Sequence, residues 1–427
     1  MENMFFEPRK EVWKDLIKRP AFDHASLENV VAPILRDVRI NGNAAIQKYT
    51  AQFDKIKLEE LYVSETEIEY AISSIEKPLK NAIELAKENI TRFHKTQTEN
   101  ILITETTPGV LCWRKPVAIQ NVGLYIPGGT APLFSTLLML AIPAQIAGCK
   151  NIVVCTPADK EGKIHPAILY TAQLLGLNNI YKIGGVQAIA AMAYGTATIS
   201  KVNKIFGPGN QFVTAAKQLV NRDGVAIDMP AGPSELAVYA DETAVASFVA
   251  ADLLSQAEHG TDSQVVLVAT SKKIILEVKN ELTQQLAQLP RMEIARTALG
   301  NSHFIVIQDP VTAFHFLNEY APEHLIIASE AAEVLSLHVI NAGSVFLGNY
   351  SPEAAGDYAS GTNHTLPTNG YATAYSGVSV DSFVKKITFQ QISKEGLKNI
   401  GPAVEVMAEA EGLDGHKNAI TIRLNKL

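Results

Sequence analysis

A chain of 427 residues is longer than one hydrophobic core usually supports, which predicts two large folded units with smaller appendages. Hydrophobic residues make up 47% and charged residues 19%, a balance that excludes a mostly disordered chain. With 44 acidic against 37 basic residues and a net charge of -7, the chain lacks the basic footprint that nucleic acid or an anionic membrane surface requires.

The opening MENMFFEPRKEVWK has an apolar run too short for the core of a secretory signal. Residues 1–100 read as a helical N-terminal segment packing on the first sheet domain. In it Ser64 and Glu67 form a capping box, and 77–97 carries apolar residues at helical spacing. ILIT at 101–104 and VLCW at 110–113 flank a Thr-Pro-Gly turn, which predicts a hairpin connecting inward through 101–120.

From 121 to about 310, the apolar runs VGLYIP, NIVVCT, IYKI, KIF, VAI, LAVYA, QVVLVAT and HFIVI alternate with helical patterns. That alternation predicts an α/β protein with two doubly wound, incomplete Rossmann-like parallel-sheet domains, 121–235 and 236–380, and a small C-terminal tail domain over 381–427. Such sheets bind ligands at the carboxyl ends of their strands. Residues 135–148 are nearly apolar but shorter than a membrane span and contain Pro143, so a buried helix is expected.

The three cysteines, Cys112, Cys149 and Cys155, form no C-x-x-C pair and indicate a reducing, cytoplasmic setting. Cys155 reads as a small buried hydrophobe rather than as the thiol nucleophile of an aldehyde dehydrogenase. Of the ten histidines, His24, His94, His165, His303, His315 and His338 stand singly on helical or strand patterns and read as structural.

Three strand-to-helix loops are rich in glycine: Pro127-Gly128-Gly129, Gly184-Gly185 before Gln187, and Gly207-Pro208-Gly209-Asn210. Each alone is an ordinary tight turn, and none fits G-x-G-x-x-G because Phe212 stands three after Gly209. Their recurrence at one architectural position brings a nucleotide into consideration.

On the helix expected over 243–259, an apolar stripe of Val245, Phe248 and Val249 runs into Asp252, Gln256 and His259. Polar groups at the negative end of a helix dipole suit a cation, although from this helix alone a hydrogen-bonded patch capped by Gly260 is the favoured reading. Glu323 and His324 sit side by side before the strand LII, an arrangement suited to proton transfer. Asp357 and His364 lie in the structureless, Gly/Ser/Asn-rich stretch 347–377. The tail has a helical pattern from 401 to 411 that carries Glu411, then Gly412, a short loop with His416, and a final TIRL. If these residues fold together with Gln256 and His259, they offer nitrogen and oxygen ligands compatible with zinc. A metallohydrolase with Glu323 as its base, and a non-catalytic nucleotide-binding protein, are rival readings of the same residues.

The motifs GLYIPGG, GGVQAIAA, FGPGN, DMPAGPSE, LLSQAEHG, APEHL, AAGDY, GTNH and EGLDGH, in this order, resemble the histidinol dehydrogenase family from end to end. The resemblance implies one zinc per subunit held by Gln256, His259, Asp357 and His416, and a catalytic pair of Glu323 and His324. It implies substrate contacts from Ser234, His364 and Glu411, alongside His324 and the zinc ligands, and NAD contacts from Tyr125, Gln187 and Asn210. It further implies oxidation of L-histidinol by two NAD to L-histidine, in a homodimer whose subunits share active sites. Oxidation of a different primary alcohol on the same scaffold is the alternative.

Overall fold

The computed structural model describes residues 4–19, 24–128, 132–230 and 232–427, and no side chains for 24–26. Gly129, Ala231 and the His24 imidazole therefore lie outside the described residues. The strands are β1 (Met4–Phe6), β2 (Ile103–Thr107), β3 (Val110–Ala118), β4 (Asn121–Tyr125), β5 (Asn151–Thr156), β6 (Ile180–Lys182) and β7 (Lys204–Phe206). They continue as β8 (Ala226–Ile227), β9 (Glu235–Ala240), β10 (Gln264–Ala269), β11 (His303–Val306), β12 (His324–Ala328), β13 (Ser344–Leu347) and β14 (Val384–Ile392).

Two parallel sheets result, one of five strands in the order β6-β5-β4-β7-β8 and one of six in the order β1-β11-β10-β9-β12-β13. Their near-continuous apolar runs follow from burial on both faces. In β9, Leu236, Val238 and Ala240 enter one hydrophobic cluster while Ala237 and Tyr239 enter the cluster on the opposite face. The first sheet divides in the same way, with Val153 and Cys155 of β5 on one face and Ile152 and Val154 on the other. The helix Phe134–Ala147 is buried on every side from Ser135 to Ala144. Among the described residues no helix is long and apolar enough to cross a membrane.

Four expectations need correction. The N-terminal segment does not pack on the first sheet alone: β1 pairs with β11 of the second sheet and Trp13 joins that sheet's core, whereas helix residues such as Val31 and Val38 pack on the first. The 101–120 hairpin does not lead inward either, because β3 pairs antiparallel with β14 along its length and so forms a platform for the tail. His416 lies in a helix, Asp414–Leu424, rather than in a loop, since Gly412 at φ +69 ends the preceding helix Lys394–Ala410 and Asp414 begins another. The stretch 347–377 contains the helix Glu353–Tyr358, where Gly356 lets the backbone approach the Phe346 ring.

Candidate active site

The three residues expected to contact NAD converge at the carboxyl edge of the first sheet. Tyr125 ends β4, and its hydroxyl accepts the Gly185 N–H at 3.1 Å. Gln187 is buried and its amide donates to Asp54 at 3.4 Å. Asn210 caps the helix Gln211–Arg222, accepting from the Phe212 and Val213 N–H groups at 3.1 Å each. All three line a cleft of about 930 Å³ together with Gly128, Asp54 and, from the other sheet unit, His259.

A buried ion pair sets the third glycine loop. Lys217 pairs with Asp228, donating as well to the Gly207 carbonyl at 2.9 Å, while Asp228 accepts the Gly207 N–H at 2.8 Å. Gly207 stands at φ +126, and a Cβ there would collide with the Tyr125 carbonyl. Nothing in the sequence pattern marked this pair.

The chemical groups gather at the opposite kind of edge. Glu323 and His324 stand at the amino end of β12, not at a carboxyl end, and His324 is in register with Leu236 at the start of β9. The candidate residues of the first sheet thus lie at its carboxyl edge and those of the second at its amino edge. The amino edge of the second sheet meets this cleft through His259, which follows the helix Ala246–Ala257. That helix buries Val249, Leu253 and Gln256, while Val245 and Phe248, expected on its inward stripe, are exposed.

His324 is buried among carboxylates: Nδ1 lies 3.8 Å from Glu323 and 3.7 Å from Glu353, and Nε2 lies 3.7 Å from Asp357. Burial disfavours its charged form, but Glu353, Glu323 and Asp357 together outweigh that effect and raise its basicity. Burial raises the Glu323 and Glu353 carboxyls above their ordinary range, with the nearby imidazole opposing the rise. Glu323 also accepts the Glu235 N–H at 3.0 Å. Ser234, just before β9, adjoins the same edge, and its carbonyl accepts the Gln264 N–H at 3.4 Å. His364 donates from Nδ1 to the Asp357 carbonyl at 2.9 Å, which leaves Nε2 to accept from the Thr136 hydroxyl at 3.0 Å. Asn363 beside it donates to the Met139 carbonyl and to the buried His94, so His94 has the structural role expected of it.

The donor chemistry fits a cation. Among the described residues, Gln256 Oε1, both His324 nitrogens and both Glu353 oxygens are buried without hydrogen-bond partners, and His324, Glu353 and Asp357 offer ligand atoms within 4.8 Å of one another. The Gln256 amide and His259 Nδ1 are 3.3 Å apart, and the charges of His259 and His364 both act on Asp357. Glu353 is the member that sequence reading missed. Its signal was a glutamate immediately before the AAGDY motif, four residues before Asp357 on one helical face. Glu411 and His416 do not join this cluster within one chain, because both are exposed on the tail, whose helices pack on each other and on the antiparallel sheet. Cys155 is fully buried in apolar core, and that burial pushes its thiol far above the usual range.

Comparison with known proteins adds family evidence. The histidinol dehydrogenase family model matches residues 17–424. A histidinol dehydrogenase of Bacteroides thetaiotaomicron is 60% identical over 420 residues, covering 98% of each chain. The crystal structure of histidinol dehydrogenase from Elizabethkingia anophelis is 56% identical and superposes with a TM-score of 0.98, covering 99% of this chain and 98% of that one. An acetylating aldehyde dehydrogenase from Geobacillus thermoglucosidasius, 15% identical with a TM-score of 0.50 over 89% of this chain and 94% of its own, shares the fold alone.

Proposed function

The chain belongs to the histidinol dehydrogenase family, and on that premise we propose how its residues carry L-histidinol through the aldehyde to L-histidine. The supporting observation is that His259 lines the nucleotide-sized cleft while its charge acts on Asp357, whose carboxylate lies 3.7 Å from His324. When bound, NAD accepts a hydride at each stage, and zinc held by Gln256, His259 and Asp357 orients the substrate's imidazole and amino groups.

His324 takes the hydroxyl proton as the hydride leaves, and the three surrounding carboxylates stabilise the imidazolium that forms. Glu323 removes a proton from the water that adds to the aldehyde, giving the hydrate from which the second hydride departs. Burial of both side chains keeps bulk water from the retained aldehyde. Tyr125, Gln187 and Asn210 hold the cofactor, while Ser234 and His364 contact substrate. His416 completes the ligand set and Glu411 meets the substrate amino group, both from a second copy of the chain in a homodimer. The unpaired cysteines support a reducing, cytoplasmic setting.

The test is NADH production from histidinol before and after chelation, with metal analysis of the His259→Asn variant alongside. Loss of NADH formation on chelation, and a folded variant with little zinc, are expected. A variant with full zinc and normal activity removes His259 from the site.

A further inference from the structure

Among the described residues the Glu323 carboxylate has one direct hydrogen-bond donor, the main-chain N–H of Glu235 at 3.0 Å, so the place of residue 235 sets the direction of that carboxylate. The side chain of Glu235 points elsewhere and is itself buried. It is gripped by both arms of the Arg19 guanidinium, with Nη2 to Oε1 at 2.7 Å and Nε to Oε2. The main-chain N–H groups of Asn369 and Gly370 also support it. Arg19 lies over the Tyr320 ring at 4.0 Å and bonds the Tyr320 carbonyl. Tyr320 is the last residue of the helix Pro310–Tyr320, and the chain then turns through Ala321, at φ +49, directly into Pro322 and Glu323.

Arg19 therefore holds both sides of the acid: the turn that delivers Glu323 and the strand start whose N–H orients it. His324 has further anchors that Arg19 does not touch, namely sheet pairing with Ser344 and contacts with Glu353 and Asp357, and its pairing with Leu236 lies one residue beyond the Arg19-held Glu235. We propose that Arg19 and Glu235 form a positioning pair that aims the Glu323 carboxylate at the attacking water, and so governs the aldehyde stage and not the alcohol stage. This rests on the assignment of water activation to Glu323. The pair acts through that residue and touches no substrate.

The test compares zinc-loaded dimers of wild type, Glu323→Gln, Arg19→Lys and the double variant Arg19→Met/Glu235→Gln. In each, the alcohol stage is measured in single turnovers with histidinol and the aldehyde stage with histidinaldehyde supplied directly. The double change removes a whole buried ion pair, so no unpaired charge is left behind. A carboxylate misaimed by about an ångström is expected to lower kcat for the aldehyde about tenfold to a hundredfold, with KM and the alcohol stage within about threefold of wild type. Arg19→Lys, which keeps the charge but loses the two-armed grip, falls between. Thermal midpoint and zinc content verify folding, and Glu235→Gln alone, which keeps an acceptor for Arg19, replaces the double variant if that one does not fold.

Equal loss at both stages would make the pair merely structural and overturn the proposal. So would an unchanged aldehyde stage in the double variant while Glu323→Gln remains selective. Equal loss in Glu323→Gln itself would instead overturn the Glu323 assignment on which the proposal stands.

Discussion

Three carboxylates within 3.8 Å of His324 compete for one imidazolium, and their different placements divide their roles. Glu323 is oriented by a main-chain donor, Asp357 feels the charges of His324, His364 and His259, and Glu353 is buried with neither oxygen hydrogen-bonded among the described residues. Replacing Glu323 by Gln keeps the shape but removes the base, so oxidation of the aldehyde should fall by about two orders of magnitude while alcohol oxidation changes far less. Stage-specific NADH bursts decide it, and comparable losses at both stages would contradict the assignment. Cys155 offers a contrasting case. It lies in the apolar core with its thiol strongly disfavoured from ionising, so Cys155→Ala should retain full turnover at a stability loss of about 1 kcal/mol from the small cavity. A Cys155→Ala protein that folds yet makes no acid would return the thiol to the mechanism.

The glycine loops show how an element's shape depends on residues far from it in sequence. The loop 207–210 could be recognised from its glycines and the helix that follows, because close backbone approach and a capping Asn210 leave a local signature. The Lys217–Asp228 pair that fixes it could not, since its partners meet only once β7, β8 and the intervening helix have packed. Both side chains are nearly excluded from solvent, so Asp228→Asn leaves a buried ammonium short of its counter-charge and should lower stability by about 3–5 kcal/mol. It should also raise KM for NAD, because the Gly207 N–H loses its carboxylate acceptor. Denaturant titration and NAD-dependent kinetics test the two effects separately, and a stable variant with unaltered KM would show that the pair does not shape the loop. The same logic explains the misread helix Ala246–Ala257. Period alone picks out a stripe through Val245 and Phe248, but the face packed against β9 and β10 is the one bearing Val249, Leu253 and Gln256.

At the scale of the molecule, alternating strands and helices made both parallel sheets legible, since each strand buried on both faces must be a continuous apolar run. What local pattern does not encode is how separate segments pair. β1 joins β11 across about three hundred residues, a separation visible in the partners Met4 and Phe304. β14 joins β3 with Val384 opposite Ala118. The candidate site was legible through its motifs, yet its position was not: the cleft at the carboxyl edge of one sheet is also lined by His259 from the amino edge of the other.

The tail tests whether the chain acts alone. His416 and Glu411 are exposed, and the helices that carry them rest on each other and on the antiparallel sheet, away from His324 and Asp357. If the tail completes the site of a second subunit across a two-fold axis, then Gln256, His259 and Asp357 of one site come from one chain and His416 from its partner. His259→Asn and His416→Asn, each inactive alone, should then complement one another when unfolded together and reassembled. In a mixed dimer one site receives both lesions and the other receives neither. Random pairing makes about half of the dimers mixed, so activity should return to roughly a quarter of wild type. If His416 served its own chain, every site in the mixture would carry one lesion, and reassembly with proven mixed dimers would recover nothing.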